Sequence, residues 1–149
     1  LRALLDINVL IALLDAQHVH HALAARWLGA NIGTGWASCP LTQNGVIRIM
    51  SQPAYPNPVP PGSVAGRLSE AADSEWHEFW ADEISLLDPG RVRWSAVLGS
   101  RQITDCYLLA LAVHHDGRFV TFDRRISQAA VQGAQSRHLV LIDEDARRR

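Results

Sequence analysis

ITDCYLLALAVHHDGRFVTFD, residues 103–123, is the stretch on which the fold turns. Its first part is almost without polar residues from Cys106 to Val113, so the spacing predicts a long central helix over Arg101–His115. Arg118–Thr121 follows as a short apolar strand and delivers Asp123 at its C-terminal end. A buried helix leading directly into a short apolar strand is the repeating unit of an open α/β sheet.

Outward from this segment the same alternation recurs. Ala3–Ile7 reads as a buried strand running into a helix over Asn8–Asp15, and Ala22–Leu28 reads as a second short helix. Ile32–Ser38 fits a strand leaving a turn, and Thr42 is placed to cap a helix over Gln43–Met50. Pro53–Pro61 holds five of the seven prolines and marks a loop. Helices are predicted over Val64–Ala72 and over Glu75–Asp82, where Trp76, Phe79 and Trp80 have helical core spacing. Short strands are predicted at Ile84–Leu87 and His138–Ile142. The expectation is one α/β domain over residues 1–142, with a central parallel sheet of about four to five strands flanked by helices. A frayed tail over 143–149 ends in Arg147–Arg149, where it adds at most weak electrostatic attraction.

Bulk properties narrow the function. A hydrophobic fraction of 48% with 19% charged residues describes a globular chain, and 149 residues suffice for a sizeable core. A net charge of −1 excludes a generally basic coat, so an anionic partner must meet a local patch. All 14 basic residues are Arg, so every cationic contact is a planar guanidinium. Cys39 and Cys106 lack metal-ligand spacing and read as buried free thiols in a reducing cytosol. The N-terminal apolar run is broken by Asp6, Asn8 and Asp15, and no apolar run is long enough for a membrane span. A soluble, cytoplasmic protein without membrane attachment is expected. The chain opens on Leu1 rather than Met, which reads as trimming or an alternative start codon.

Three aspartates stand at the ends of apolar runs: Asp6, Asp105 and Asp123. Each has a plain structural alternative. Asp6 can cap the helix after it, Asp105 can interact with its helix dipole, and Asp123 can pair with Arg124 or Arg125. Ligands of open sheets sit at the carboxyl ends of the strands, where Asp6 and Asp123 are expected. Taken together, carboxylates at such an edge point to a bound Mg²⁺ or Mn²⁺. Open positions on an ion held this way admit water and a phosphate oxygen, so phosphodiester hydrolysis needs no protein nucleophile. No Gly-rich phosphate loop and no GxSxG elbow is present.

The segments LLDINVLIALLD, CPLTQNGVIRIM, TDCYLLALAVHH and FVTFDRRI, in this order and spacing, resemble those of a PIN-domain ribonuclease, and in detail a VapC-type toxin of a bacterial toxin–antitoxin pair. The resemblance spans about Arg2–Ile142. It implies a Mg²⁺- or Mn²⁺-dependent endoribonuclease acting on structured RNA, tRNA above all. It also implies a homodimer inhibited by a cognate VapB-type antitoxin. By this resemblance Asp6, Asp105 and Asp123 fall on the family's catalytic, metal-binding acids. Asn8 falls on its small polar partner, and Thr121 on a hydroxyl two residues before the last acid. One departure stands out: the Glu three residues beyond a Ser or Thr such as Thr42 is here Gly45. Neighbouring Gln43 and Asn44 are neutral and able only to hydrogen-bond, while Asp116 and Glu144 are the acids open to compensate. A PIN module that binds RNA or antitoxin without cleaving is the alternative this departure supports.

Other residues invite a role. Arg124 and Arg125 are suited to the RNA backbone. Arg48, one turn after Asn44, faces phosphate or a surface ion pair. Trp94 is placed to stack on a base. His18, His20 and His21 read as a solvated helix start, and His114–His115 as complements to a helix dipole. A haloacid dehalogenase-type phosphatase, which also begins strand–Asp, needs D-x-D and a Lys; here Asp6-Ile7-Asn8 and a Lys-free chain oppose it.

Overall fold

In the computed structural model, which describes residues 1–144, the chain forms a five-stranded, wholly parallel sheet with helices on both faces. In chain order its elements are β1 (Ala3–Leu5), α1 (Ile7–Leu14), α2 (His21–Asn31), β2 (Trp36–Ser38), α3 (Pro40–Ser51), α4 (Pro61–Ala72), β3 (His77–Phe79), α5 (Ile103–His114), β4 (Arg118–Thr121) and β5 (Leu139–Leu141). The strands lie in the order β3-β2-β1-β4-β5, so the chain builds outward on one side of β1 and then returns to its other side. The crevice of such a sheet opens where the order reverses, beyond the carboxyl ends of β1 and β4.

Alternation along the strands divides the core. Leu4 and Phe119 pack with the buried face of α5, whereas Ala3, Leu5 and Val120 pack with α1, α3 and α4. Coverage on both faces is why these strands carry no polar face, as parallel sheets require. α5 buries Cys106 and Leu108–Ala112, in keeping with the central helix that its sequence predicts. Cys39 and Cys106 are buried free thiols. No helix of the described residues is long and apolar enough to cross a membrane.

Four local expectations fail for identifiable reasons. Glu75–Asp82 is not a helix: His77–Phe79 is the edge strand β3, paired with Trp36–Ser38. The i, i+3, i+4 spacing of the aromatics mimics a helix, yet only Trp80 is buried, while Trp76 and Phe79 are exposed. The free edge of β2 needs backbone partners, and that long-range demand overrides local periodicity. Ile84–Leu87 is not a strand, because its backbone is engaged locally. The Ser85 N–H donates to Asp88 Oδ2 (3.1 Å), closing a turn that continues to Gly90 at φ +76°. The helix expected to start after Thr42 starts at Pro40. Thr42 reaches back from its first turn, accepting from the Cys39 N–H at 3.0 Å, so Gly45 sits in the second turn rather than the first. The Pro53–Pro61 loop likewise ends one residue early, since Pro61 opens α4 in the position where a missing N–H costs least. Residues 145–149, and with them the Arg147–Arg149 run, lie outside the described residues.

Candidate active site

Asp6 leaves β1 and caps α1: its carboxylate accepts from the Ile7 N–H (2.7 Å) and from the Thr121 hydroxyl (2.6 Å). The capping role and the site role therefore coexist in one side chain, one oxygen serving each bond. Thr121, fully buried at the end of β4, also accepts from the Asp123 N–H at 3.0 Å. A single hydroxyl thus aligns the chain ends of β1 and β4. Asp105 is the third residue of α5, whose N-terminus points to the same edge because α5 runs antiparallel to β4. Gln102 strengthens this junction: its amide accepts from the Leu98 N–H (2.7 Å) and donates to the Arg125 carbonyl (2.8 Å), tying the approach to α5 to the turn after β4.

Asp6, Asp105 and Asp123 line one cleft of about 410 Å³ together with Ile7, Asn8, Ile11, His18, Ile49, Tyr55, Arg101 and Thr104. A second hollow, of about 360 Å³ beside Asp15 and Arg67, has none of these acids. Burial pushes Asp105 up to about 7, and the neighbouring charges of Asp6 and Asp123 push the same way. Burial also carries Asp6 up to about 6, against the lowering effect of its bonds to Thr121 and Ile7. Asp123 differs: Arg125 holds it below the ordinary carboxylate value through a two-pronged contact, Nε to Oδ1 at 3.0 Å and Nη2 to Oδ2 at 2.7 Å. Two desolvated acids repelling each other beside a third are unfavourable as anions unless a cation joins them.

The donor set fits a hard divalent ion. Three carboxylates face the cleft, and Asn8 adds a carbonyl oxygen that is buried and accepts no hydrogen bond. An orphaned buried acceptor costs free energy unless it meets a donor or a metal. All-oxygen donors match Mg²⁺ or Mn²⁺.

The other predicted residues distribute unevenly. Asn44 and Arg48 are exposed on α3 and do not line the cleft. Arg124 is exposed and lies 3.9 Å from Asp143, while Arg125 is engaged by Asp123. Neither acid considered as a substitute for the missing Glu reaches the cleft. Asp116 pairs with Arg137 and His138, each at 3.1 Å, beyond the far end of α5, and Glu144 lines a separate hollow with His20 and Arg124. Trp94 is half exposed and also lies outside the cleft.

His18, Tyr55 and Arg101 are cleft residues that sequence reasoning missed. His18 accepts from the His20 N–H at 3.0 Å, and burial together with His20 lowers its pKa, so it is more than a solvated helix start. The Tyr55 hydroxyl donates to Asp15 Oδ2 at 2.5 Å, which folds the proline-rich loop against the end of α1. Only Arg101 carried a signal, being a cation within one turn of Asp105.

This architecture, a parallel sheet with acids gathered at its switch point, has a counterpart among known families. Residues 3–132 match the model of the PIN domain, and the chain belongs to that family. It is 49% identical to Ribonuclease VapC44 of Mycobacterium tuberculosis (strain ATCC 25618 / H37Rv) over 142 residues, covering 95% of this chain and 100% of the relative. It is also 39% identical to Ribonuclease VapC39 of the same strain over 88% of this chain and 95% of that one. Ribonuclease VapC29 shares 43% identity over 80% of this chain and 84% of its own length.

Proposed function

We propose that this protein is a VapC-type endoribonuclease that hydrolyses phosphodiester bonds in structured RNA, tRNA in the first instance, with Mg²⁺ or Mn²⁺ as cofactor. The observation that carries the reading is the cleft itself: Asp6 and Asp105, buried and raised to about 6 and about 7, beside Asp123 and the orphaned Asn8 oxygen. Asp6, Asp105 and Asp123 hold the ion and are the catalytic acids. When bound, the cation supplies charge neutralisation at phosphate and Lewis acidity for attack by water. Asn8 provides a neutral oxygen toward it, and Thr121 fixes the rotamer of Asp6. Arg101, at the cleft wall, is suited to a non-bridging phosphate oxygen. Arg124 and Arg48, both exposed, extend that contact along the RNA backbone. Arg125 buttresses Asp123, and with a cation held by that carboxylate its guanidinium would be free to meet phosphate. Asn44 has no place in this scheme beyond the α3 surface.

The names of the relatives support the ribonuclease assignment and, through the VapC type, inhibition by a cognate VapB-type antitoxin. A homodimer acting in the cytoplasm, with residues 1–142 as the nuclease unit, completes the proposal. The second reading, a module that binds RNA or antitoxin without cleavage, draws on Gly45, whose space Ile7 fills.

Cleavage of total tRNA by the purified protein with Mn²⁺ or Mg²⁺, beside Asp6→Asn and an EDTA control, tests the proposal. Discrete fragments absent from both controls are expected. No cleavage by the folded, antitoxin-free protein on tRNA or total RNA would transfer the assignment to the binding module.

A further inference from the structure

At the end of α5 away from the cleft, His114 and His115 meet Glu83. Asp105 and His114 are nine positions apart, about 14 Å of helix, so this cluster is independent of the acidic cleft. Both imidazoles aim Nε2 at the same atom, Glu83 Oε1, at 3.5 Å from His114 and 2.9 Å from His115. A ligand atom from each of the three residues lies within 4.8 Å of the other two.

A helix dipole accounts for histidines near the last carbonyls, but not for their convergence on one oxygen. The short His115 contact is not a hydrogen bond: its Nε2 is buried and has no partner in hydrogen-bonding geometry. With Nε2 unprotonated, two imidazole nitrogens and a carboxylate oxygen converge as lone pairs on a common point, a donor set that a cation would join; with Nε2 protonated they form an ordinary ion pair with Glu83. The spacing suits one. Bonds of 2.0–2.1 Å to a tetrahedral ion place neighbouring donor atoms about 3.4 Å apart.

The cluster is also held in shape. His115 stacks on the buried indole of Trp80, with centroids 4.1 Å apart and planes 9° from parallel. The Trp80 Nε1–H is itself fixed on Glu78 at 2.8 Å. A tight backbone turn, Glu83 N–H to the Ala81 carbonyl at 2.9 Å, and the buried Ile84 set the direction of Glu83. The His114 ring stands edge-on to His115 at 5.2 Å and 87°, which brings the two Nε2 atoms in from different sides.

We propose that Glu83, His114 and His115 form a second metal site, selective for a borderline transition ion such as Zn²⁺ over Mg²⁺. Two imidazoles with one carboxylate leave a position open to water or to a donor from a partner molecule. The site clasps the segment after β3 to the C-terminal end of α5, the helix whose first turn carries Asp105.

Zn²⁺ is the probe, titrated by calorimetry into the chain stripped of transition metals, in two backgrounds that silence the acidic cleft. One is the native chain with Mg²⁺ in excess; the other is Asp6→Asn/Asp105→Asn. One Zn²⁺ per chain is expected in both. His114→Ala and Glu83→Gln, at side chains 42% and 46% exposed, leave the core untouched and are expected to weaken binding at least about tenfold. Co²⁺ in place of Zn²⁺ is expected to give visible absorption of a four-coordinate nitrogen–oxygen site, absent from His114→Ala. Absence of Zn²⁺ binding in both backgrounds, or affinity unchanged by both substitutions, overturns the proposal.

Discussion

Ile7 occupies the ground that any side chain at position 45 would need. A Cβ built on Gly45 would collide with Ile7 Cδ1 and lie 2.9 Å from its Cγ1. Ile7, which lines the cleft, thus takes the space at Gly45, the position where the family resemblance leads one to expect a Glu. Gly45→Glu alone is expected to destabilise the fold by about 1–3 kcal/mol through overpacking. Ile7→Ala in the same chain is expected to recover most of that loss and to tighten Mn²⁺ binding. Urea denaturation of the two single variants and the double variant checks the coupling; strictly additive effects would reject a shared space.

Thr121 serves two elements with one hydroxyl, and its conservative variants separate shape from hydrogen bonding. Thr121→Val keeps the volume but leaves the Asp123 N–H unpaired and removes a donor from Asp6. A stability loss of about 1–3 kcal/mol is expected, with cleavage reduced more than RNA binding. Thr121→Ser is expected to restore most of both. Equal activity in Val and Ser variants would contradict the positioning role.

Stability should depend on pH in an unusual direction. Asp6 and Asp105 are raised from the ordinary value of 3.8 to about 6 and about 7, so the folded chain holds protons that the unfolded chain releases. Between about pH 4 and pH 7 these two carboxyls therefore cost the metal-free protein stability as pH rises, while His18 and His77, whose pKa values burial lowers, contribute in the opposite sense. Mn²⁺ bound as proposed would compete with those protons, so its affinity is expected to climb over the upper part of the same window and to offset the loss. Asp105→Asn is expected to raise the metal-free melting temperature at pH 8 while abolishing cleavage. Thermal melts of the native chain and of Asp105→Asn from pH 4 to pH 8, with and without Mn²⁺, provide the check; the same pH dependence in the two metal-free chains would refute it.

At the proposed metal site, Arg125 and a divalent ion would compete for the same oxygens. The guanidinium engages both carboxylate oxygens of Asp123, so Arg125→Gln is expected to tighten Mn²⁺ binding several-fold and to raise the Asp123 pKa. Arg101→Gln, which leaves the acids alone, is expected to raise KM for RNA with little change in Mn²⁺ affinity. Calorimetry and steady-state kinetics on the two variants distinguish the roles. Weaker Mn²⁺ binding in Arg125→Gln would show that this arginine organises the site instead of competing for it.

The sequence by itself determined the α/β class, the central helix α5, the strands β1 and β4, and the three acids, because each rests on contiguous chain. An apolar run with one aspartate at its end states its burial and its exit point within a dozen residues. Tertiary structure alone decided the rest. β3 exists because β2 needs an edge partner, a demand invisible within Glu75–Asp82. His18 and Tyr55 join the cleft only through long-range packing, and Asp116, considered as a compensating acid, is carried to the opposite end of α5. The Ile7–Gly45 contact and the bond from Thr121 to Asp6, which spans 115 positions of sequence, have no local signature. Side-chain partnership depends on where distant backbones come to rest, and the parallel sheet, whose every pairing is non-local, sets that place.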